Sequence, residues 1–143
     1  PTTILEDATV ARSDLAETFA EIERLTEKYQ LKVGTFGHAG DGNLHPTALA
    51  DERDEEEMGR VHAFFDELYE FVLARGGTVS GEHGIGLAKK EYLVRQIGSG
   101  GVAVMKRIKQ AFDPEGILNP GKIFDDGDPC TKPSVEEGFR VSH

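Results

Sequence analysis

The stretch TFGHAGDGNLHPTALA, residues 35–50, constrains the fold more than any other part of the chain. Residues 31–37, LKVGTFG, carry β-type side chains in rough alternation, and NLHPTALA reads as a second strand beyond the GDG turn. Asp41-Gly42 is a favoured central pair for a two-residue hairpin turn, because both positions need positive φ. With that turn, Gly40 pairs with Asn43, Ala39 with Leu44 and His38 with His45. Directly opposed side chains share a face, with Cβ atoms about 4.5–5.5 Å apart. Pro46 makes the second strand an edge or irregular one, because proline cannot donate to a ladder.

Helical periodicity supplies the layer that such a hairpin needs. Residues 4–10 read as a weak strand or extended entry, and Ser13 is placed to cap a helix with apolar positions Leu15, Phe19, Ile22, Leu25 and Tyr29, ending near Gln30. Asp54 and Glu57 have capping-box spacing before a second stripe, Met58, Val61, Phe65, Leu68 and Val72, which stops at Gly76-Gly77. A short strand at 78–80 precedes the glycine-rich SGEHGIG. Two further helices follow, LAKKEYLVRQI and VAVMKRIKQAF, the second with Val102, Met105, Ile108 and Phe112 on one face. The order β-α-β-β-α-β-α-α predicts an α+β fold: an antiparallel or mixed sheet, ferredoxin-like in character, with helices packed on one face and a C-terminal helical segment. Residues 1–125 form the folded domain and 126–143 a polar tail without periodicity.

The 143 residues suffice for one domain with a real core. Acidic residues number 26 against 16 Lys and Arg, a net charge of −10. That balance disfavours nucleic acid and anionic membrane surfaces, both of which need a basic footprint. It leaves room for a small anionic substrate, because a bound cation can outweigh the global field locally. Cys130 is the only cysteine, so no internal disulfide exists, and no apolar run approaches the length of a membrane span. The start, PTTILEDATVARS, shows neither a signal peptide nor an initiator Met, and the expectation is a piece of a longer protein.

Two imidazoles that face each other across a hairpin could reach one metal ion at about 2.0–2.1 Å per bond. Glycines 37, 40 and 42 permit the close backbone approach that a ligand site needs. Asp41 and Asn43 could orient an imidazole N–H or simply shape the turn. In GGTVSGEHGIGLAKKEYL, residues 76–93, Glu82 offers the oxygen ligand that completes a His2Glu set with His38 and His45. Three protein ligands leave a coordination position open, the catalytic arrangement. His83 is the natural general base, because imidazole titrates near neutrality, and as the neighbour of Glu82 it is expected to point elsewhere in the same pocket. The bland alternatives are turn histidines and a Glu-His pair that merely begins a helix. His62 belongs on a helix surface. Lys89 and Lys90 fit a solvated helix face. SGEHGIG lacks the spacing of a dinucleotide-binding fingerprint. Asn119 and Lys122, in ILNPGK, are polar groups in a constrained loop that could dock onto a neighbouring domain or cofactor, or lock the C-terminus.

The blocks EDATVARS, GHAGDGNLHP, GGTVSGEHGIGLAKKEYL and MKRIKQAFDPEGILNPGKIF occur in that order over about residues 5–124. Together they closely resemble the C-terminal domain of the FAD-linked 2-hydroxyacid oxidases and dehydrogenases, the glycolate oxidase and D-lactate dehydrogenase types of the vanillyl-alcohol oxidase superfamily. Ala11 stands where many relatives have proline. The resemblance implies a divalent ion, zinc or manganese, on His38, His45 and Glu82. It implies that His83 is the base and that Asn119 lies near the flavin. It also implies oxidation of a small 2-hydroxy acid, with FAD held mainly by an N-terminal domain of the same protein or by a partner subunit. A cytoplasmic location follows, with any membrane association through partner subunits. From the residues alone, a metal-dependent hydrolase using His83, or a non-catalytic α+β module, fits as well.

Overall fold

The computed structural model describes residues 2–124; the predicted tail and Cys130 lie outside the described residues. The chain divides into two compact units, the first running to Ile85 and the second beginning at Gly86. Among the described residues, no helix is long and apolar enough to cross a membrane.

The first unit is an antiparallel sheet backed by two helices. Strands β1 (Thr2–Leu5) and β2 (Ala8–Thr9) are followed by a 3-10 turn (Arg12–Asp14) and α1 (Leu15–Tyr29). The hairpin β3 (Lys32–His38) and β4 (Asn43–Ala50) leads to α2 (Glu55–Ala74). β4 is central: it pairs with β3 on one side and with both β1 and β2 on the other, all antiparallel. The expected α+β class with an antiparallel sheet is what forms.

Pro46 therefore sits in a central strand and not at an edge. β1 and β2 keep one register on β4, with Leu5 opposite Thr47 and Ala8 opposite Leu44, so Glu6 falls opposite Pro46. Glu6 N donates to Pro46 O at 3.1 Å, and proline has no N–H to return. The nick between β1 and β2 lies at that missing donor, which is how a central strand tolerates proline.

The hairpin also turns more widely than the Asp-Gly pair predicts. His38 pairs with Asn43 and Phe36 with His45, leaving residues 39–42 as a four-residue loop. Asp41 N closes it on His38 O at 2.9 Å. Only Gly42 of the expected pair has positive φ, 71°. A side chain there would also meet Val10 O at 2.1 Å, because β2 continues across the loop through the bond from Val10 N to Gly42 O. The register moves by two residues. The period of a strand is two, so His38 and His45 stay on one face as diagonal neighbours, not direct partners.

Polarity along β4 separates the two faces. Leu44, Pro46, Ala48 and Ala50 are buried and alternate with Asn43, His45, Thr47 and Leu49 on the other face. α2 packs against β4 and β2, and α1 against α2. α2 buries Val61, Phe64, Phe65, Leu68, Tyr69 and Val72, each contributing about 1.5–3 kcal/mol. Asp54 caps it as expected, its Oδ1 accepting from Glu56 N and Glu57 N at 3.0 Å. Glu57, however, reaches back to Asp51 N and not to Asp54. Gly76, φ 72°, ends the helix where the glycine pair predicts. α1 is capped from Asp14 without a side-chain bond, and Ser13 lies inside the 3-10 turn, bonded to Asp14. Thr18, Ile22 and Leu25 form its buried line, while Phe19 is exposed. The strand expected at 78–80 reduces to a single bridge, Thr78 to Thr9.

In the second unit, α3 (Lys90–Phe112) joins the two predicted helices across a kink at Gly98, φ 69° and ψ 169°. Lys89 is buried just before it, not solvated. The predicted face of the last helix is largely outward: Ile108 and Phe112 are exposed. Asp113 ends the helix, its carboxylate accepting from Ile117 N and Leu118 N at 3.0 Å and pairing with Lys109.

Candidate functional site

The polar face of β4 carries the site. His45 is buried there. His38 ends β3 on the same face, and the loop after Val79 brings Glu82 over the pair. His45 Nε2 lies 3.1 Å and His38 Nε2 3.6 Å from Glu82 Oε1. The imidazoles of His38 and His45 meet edge to face, centroids 5.4 Å apart. One donor atom from each of His38, His45 and Glu82 falls within 4.8 Å of the other two. Two donors bonded to one ion at about 2 Å stand no more than about 4 Å apart, so the triangle has to tighten slightly to seat one, and two imidazoles with a carboxylate suit zinc-like divalent ions.

His83 does not turn away from this group. Its ring stacks on His45, centroids 4.9 Å apart and planes at 14°. Its Nε2 lies 3.7 Å from the same Glu82 oxygen. Three imidazole Nε2 atoms thus lie within 3.7 Å of one carboxylate oxygen.

Asp7 is the residue that sequence reasoning missed. It is fully buried, and the register of β1 and β2 sets it opposite His45. Its carboxylate accepts from the consecutive backbone N–H groups of Gly81, Glu82 and His83 at 2.8–3.0 Å. It also accepts from Ser80 Oγ at 2.8 Å and from Asn43 Nδ2 at 3.0 Å. Successive N–H groups turned to one side form an anion-binding nest, and here the anion is the protein's own. Burial alone would raise the Asp7 carboxyl, but the N–H groups of His83, Glu82 and Gly81 and the Ser80 hydroxyl outweigh it. They hold the carboxyl well below its ordinary value. Asn43 is thus tied to Asp7 and not to a histidine. Its Oδ1, with His45 Nδ1 and Thr9 Oγ1, is buried without a hydrogen-bond partner. Gly81 is required by space: a Cβ would meet Asn43 Nδ2 at 2.0 Å and Thr9 Oγ1 at 2.4 Å. An Asp within a strand-like run and a Gly at the head of SGEH were the available signals, but burial of Asp7 is a tertiary fact.

His62 and Asn119 are not members of the His38, His45 and Glu82 group. His62 is exposed on α2. Asn119 belongs to the second unit, exposed and with a left-handed φ of 47°. Around the site, the same sheet face exposes Phe36, Leu5 and Leu49, so an apolar surround borders the polar cluster.

Residues 1–123 match the family described as FAD linked oxidases, C-terminal domain. The chain is 52% identical over 87% of its length to the glycolate oxidase subunit GlcD of Bacillus subtilis (strain 168), covering 26% of that protein. It is 40% identical over 82% of its length to a D-lactate dehydrogenase of Anaerostipes hadrus, covering 25% of it. A solved 4-ethylphenol oxidase from Gulosibacter chungangensis, in an isoeugenol complex, shares the fold with a TM-score of 0.62 at 19% identity. That match covers 87% of this chain and 24% of the oxidase. The chain therefore spans about a quarter of the length of the curated relatives it matches. On the match across residues 1–123 and on these identities, the chain belongs to the C-terminal domain family of the FAD-linked oxidases.

Proposed function

We propose that this chain is the substrate-side domain of a flavin-dependent oxidoreductase that converts a small 2-hydroxy acid, of the glycolate or D-lactate type, to the 2-oxo acid. His38, His45 and Glu82 hold a divalent cation, zinc or manganese, and His83 is the base. The observation that carries the reading is the convergence of the three donor atoms within 4.8 Å, with His83 stacked beside them. The donor set fits such an ion, and the orphaned His45 Nδ1 leaves Nε2 as the nitrogen that faces Glu82.

When bound, the ion supplies positive charge for a hydroxyl and a carboxylate oxygen and lowers the hydroxyl pKa. FAD, held mainly outside this chain by an N-terminal domain or partner subunit, supplies the two-electron acceptor. The chain's own residues orient the substrate and move the proton. The sheet face presents the 2-hydroxyl to His83, which takes its proton through an imidazole nitrogen. Phe36, Leu5 and Leu49 keep water from the substrate's apolar side. Asn119, in the second unit, is the chain's candidate flavin contact.

The test is anaerobic reduction of the flavin in the intact protein by glycolate, D-lactate and L-lactate, before and after chelation. Fast bleaching by a 2-hydroxy acid that chelation abolishes and zinc or manganese restores is the expected outcome. Bleaching that ignores both chelation and His83→Ala would overturn the reading.

A further inference from the structure

We propose that Asp7 is the positioning residue of the site: its carboxylate sets the loop that carries Glu82 and His83 against the strand that carries His45. The role rests on the reading of His38, His45 and Glu82 as a cation site with His83 as base. Asp7 holds two of the proposed groups, Glu82 and His83, through their own backbone. The N–H groups of Gly81, Glu82 and His83 converge on its two oxygens, all at 3.0 Å or less. A peptide run held at three consecutive donors has little freedom to rotate, so the directions in which the Glu82 and His83 side chains leave the backbone are set.

The other side of the device is the sheet. Asp7 follows the nick at Pro46 and stands opposite His45 in the ladder. Asn43, two residues before His45 on the same face, braces the carboxylate through Nδ2 at 3.0 Å. Ser80 Oγ donates to Asp7 at 2.8 Å and accepts from Gly84 N at 2.8 Å, closing the loop on itself. One carboxylate thereby ties the oxygen ligand and the base to the strand of the nitrogen ligand. An amide at position 7 would turn an N–H2 group toward donors and break this arrangement while keeping the volume.

The experiment compares Asp7→Asn with wild type in the intact flavoprotein. Hydrogen exchange is read over the peptide containing residues 80–84, with the core of α2 as reference, and zinc alone is titrated against a chromophoric chelator. Exchange in residues 80–84 is expected to accelerate at least ~10-fold with α2 unchanged, and zinc affinity to fall ~10–100-fold, the usual cost of losing a group that orients ligands. Unchanged exchange at 80–84 would overturn the proposal. So would faster exchange with zinc affinity within about twofold of wild type, since that is what a purely structural carboxylate would give. If wild type binds no zinc, the cation reading falls, and local acceleration at 80–84 still decides whether Asp7 holds the loop. Should Asp7→Asn fail to fold, Ser80→Ala, which removes one donor to Asp7 and one acceptor for Gly84, carries the same test. It is expected to shift both readouts in the same direction by less, and no shift in either would overturn the claim.

Discussion

Asp7 shows how one side chain can matter more through what it organises than through what it reacts with. Each of its hydrogen bonds is to an ionised acceptor, worth about 1.5–3 kcal/mol where a neutral one gives about 1. Its carboxyl lies below the ordinary 3.8 in the folded protein, so the folded state binds the proton more weakly than the unfolded chain. The stabilisation is therefore complete above that ordinary value and fades as pH falls below it toward the depressed native one. Melting temperature is expected to drop steeply below about pH 4, and Asp7→Asn is expected to flatten that acid limb while lowering stability at neutral pH. An acid limb identical in the two proteins would contradict the assignment. Gly81→Ala probes the same spot by volume. Its methyl would collide with Asn43 and Thr9, and overpacking of this kind costs about 1–3 kcal/mol, readable by thermal melting. At this scale the sequence displayed the four residues that cluster, His38, His45, Glu82 and His83, because His, Glu and His in glycine-rich turns are conspicuous. It could not display Asp7, whose importance is its burial.

The elements were legible in their kinds and less so in their edges. α2 follows from its stripe, its Asp54 cap and its terminal glycines, all of which are local. Asp54→Ala is expected to cost about 1 kcal/mol, measured by denaturant midpoint at unchanged slope. No loss would mean that the two N–H groups at its start find water equally well. Pro46 misled for a physical reason: a proline in a central strand needs only one ladder partner to do without its N–H, and the nick at Glu6 provides that. The hairpin register misled because Asp-Gly promises a two-residue turn, while the bond from Val10 to Gly42 holds a wider one. That error moved the register by two residues, and a strand's period of two kept the histidines together. In the last helix, Ile108 and Phe112 mark an apolar stripe that the described residues leave exposed, and a stripe read from sequence does not say what covers it.

The first unit is a sheet with its helices on one face and the cluster of His38, His45, Glu82 and His83 on the other. His38, His45, Glu82 and His83, with the Asp7 carboxylate that binds the backbone of two of them, lie in the first unit, so the cluster is built by one sheet and one loop. The chain's acidity, net −10, sets the terms for an anionic substrate: local positive charge must come from something other than the fold at large. That is the physical argument for a cation at His38, His45 and Glu82, and the account stands or falls on it. The most direct measurement is the stoichiometry and affinity of zinc or manganese in the metal-stripped intact protein, compared with His38→Ala and Glu82→Ala. The account predicts one equivalent bound by wild type and an affinity at least ~100-fold weaker in either variant, as the loss of one of three ligands entails. Binding that is absent in wild type, or equal in all three proteins, would contradict it.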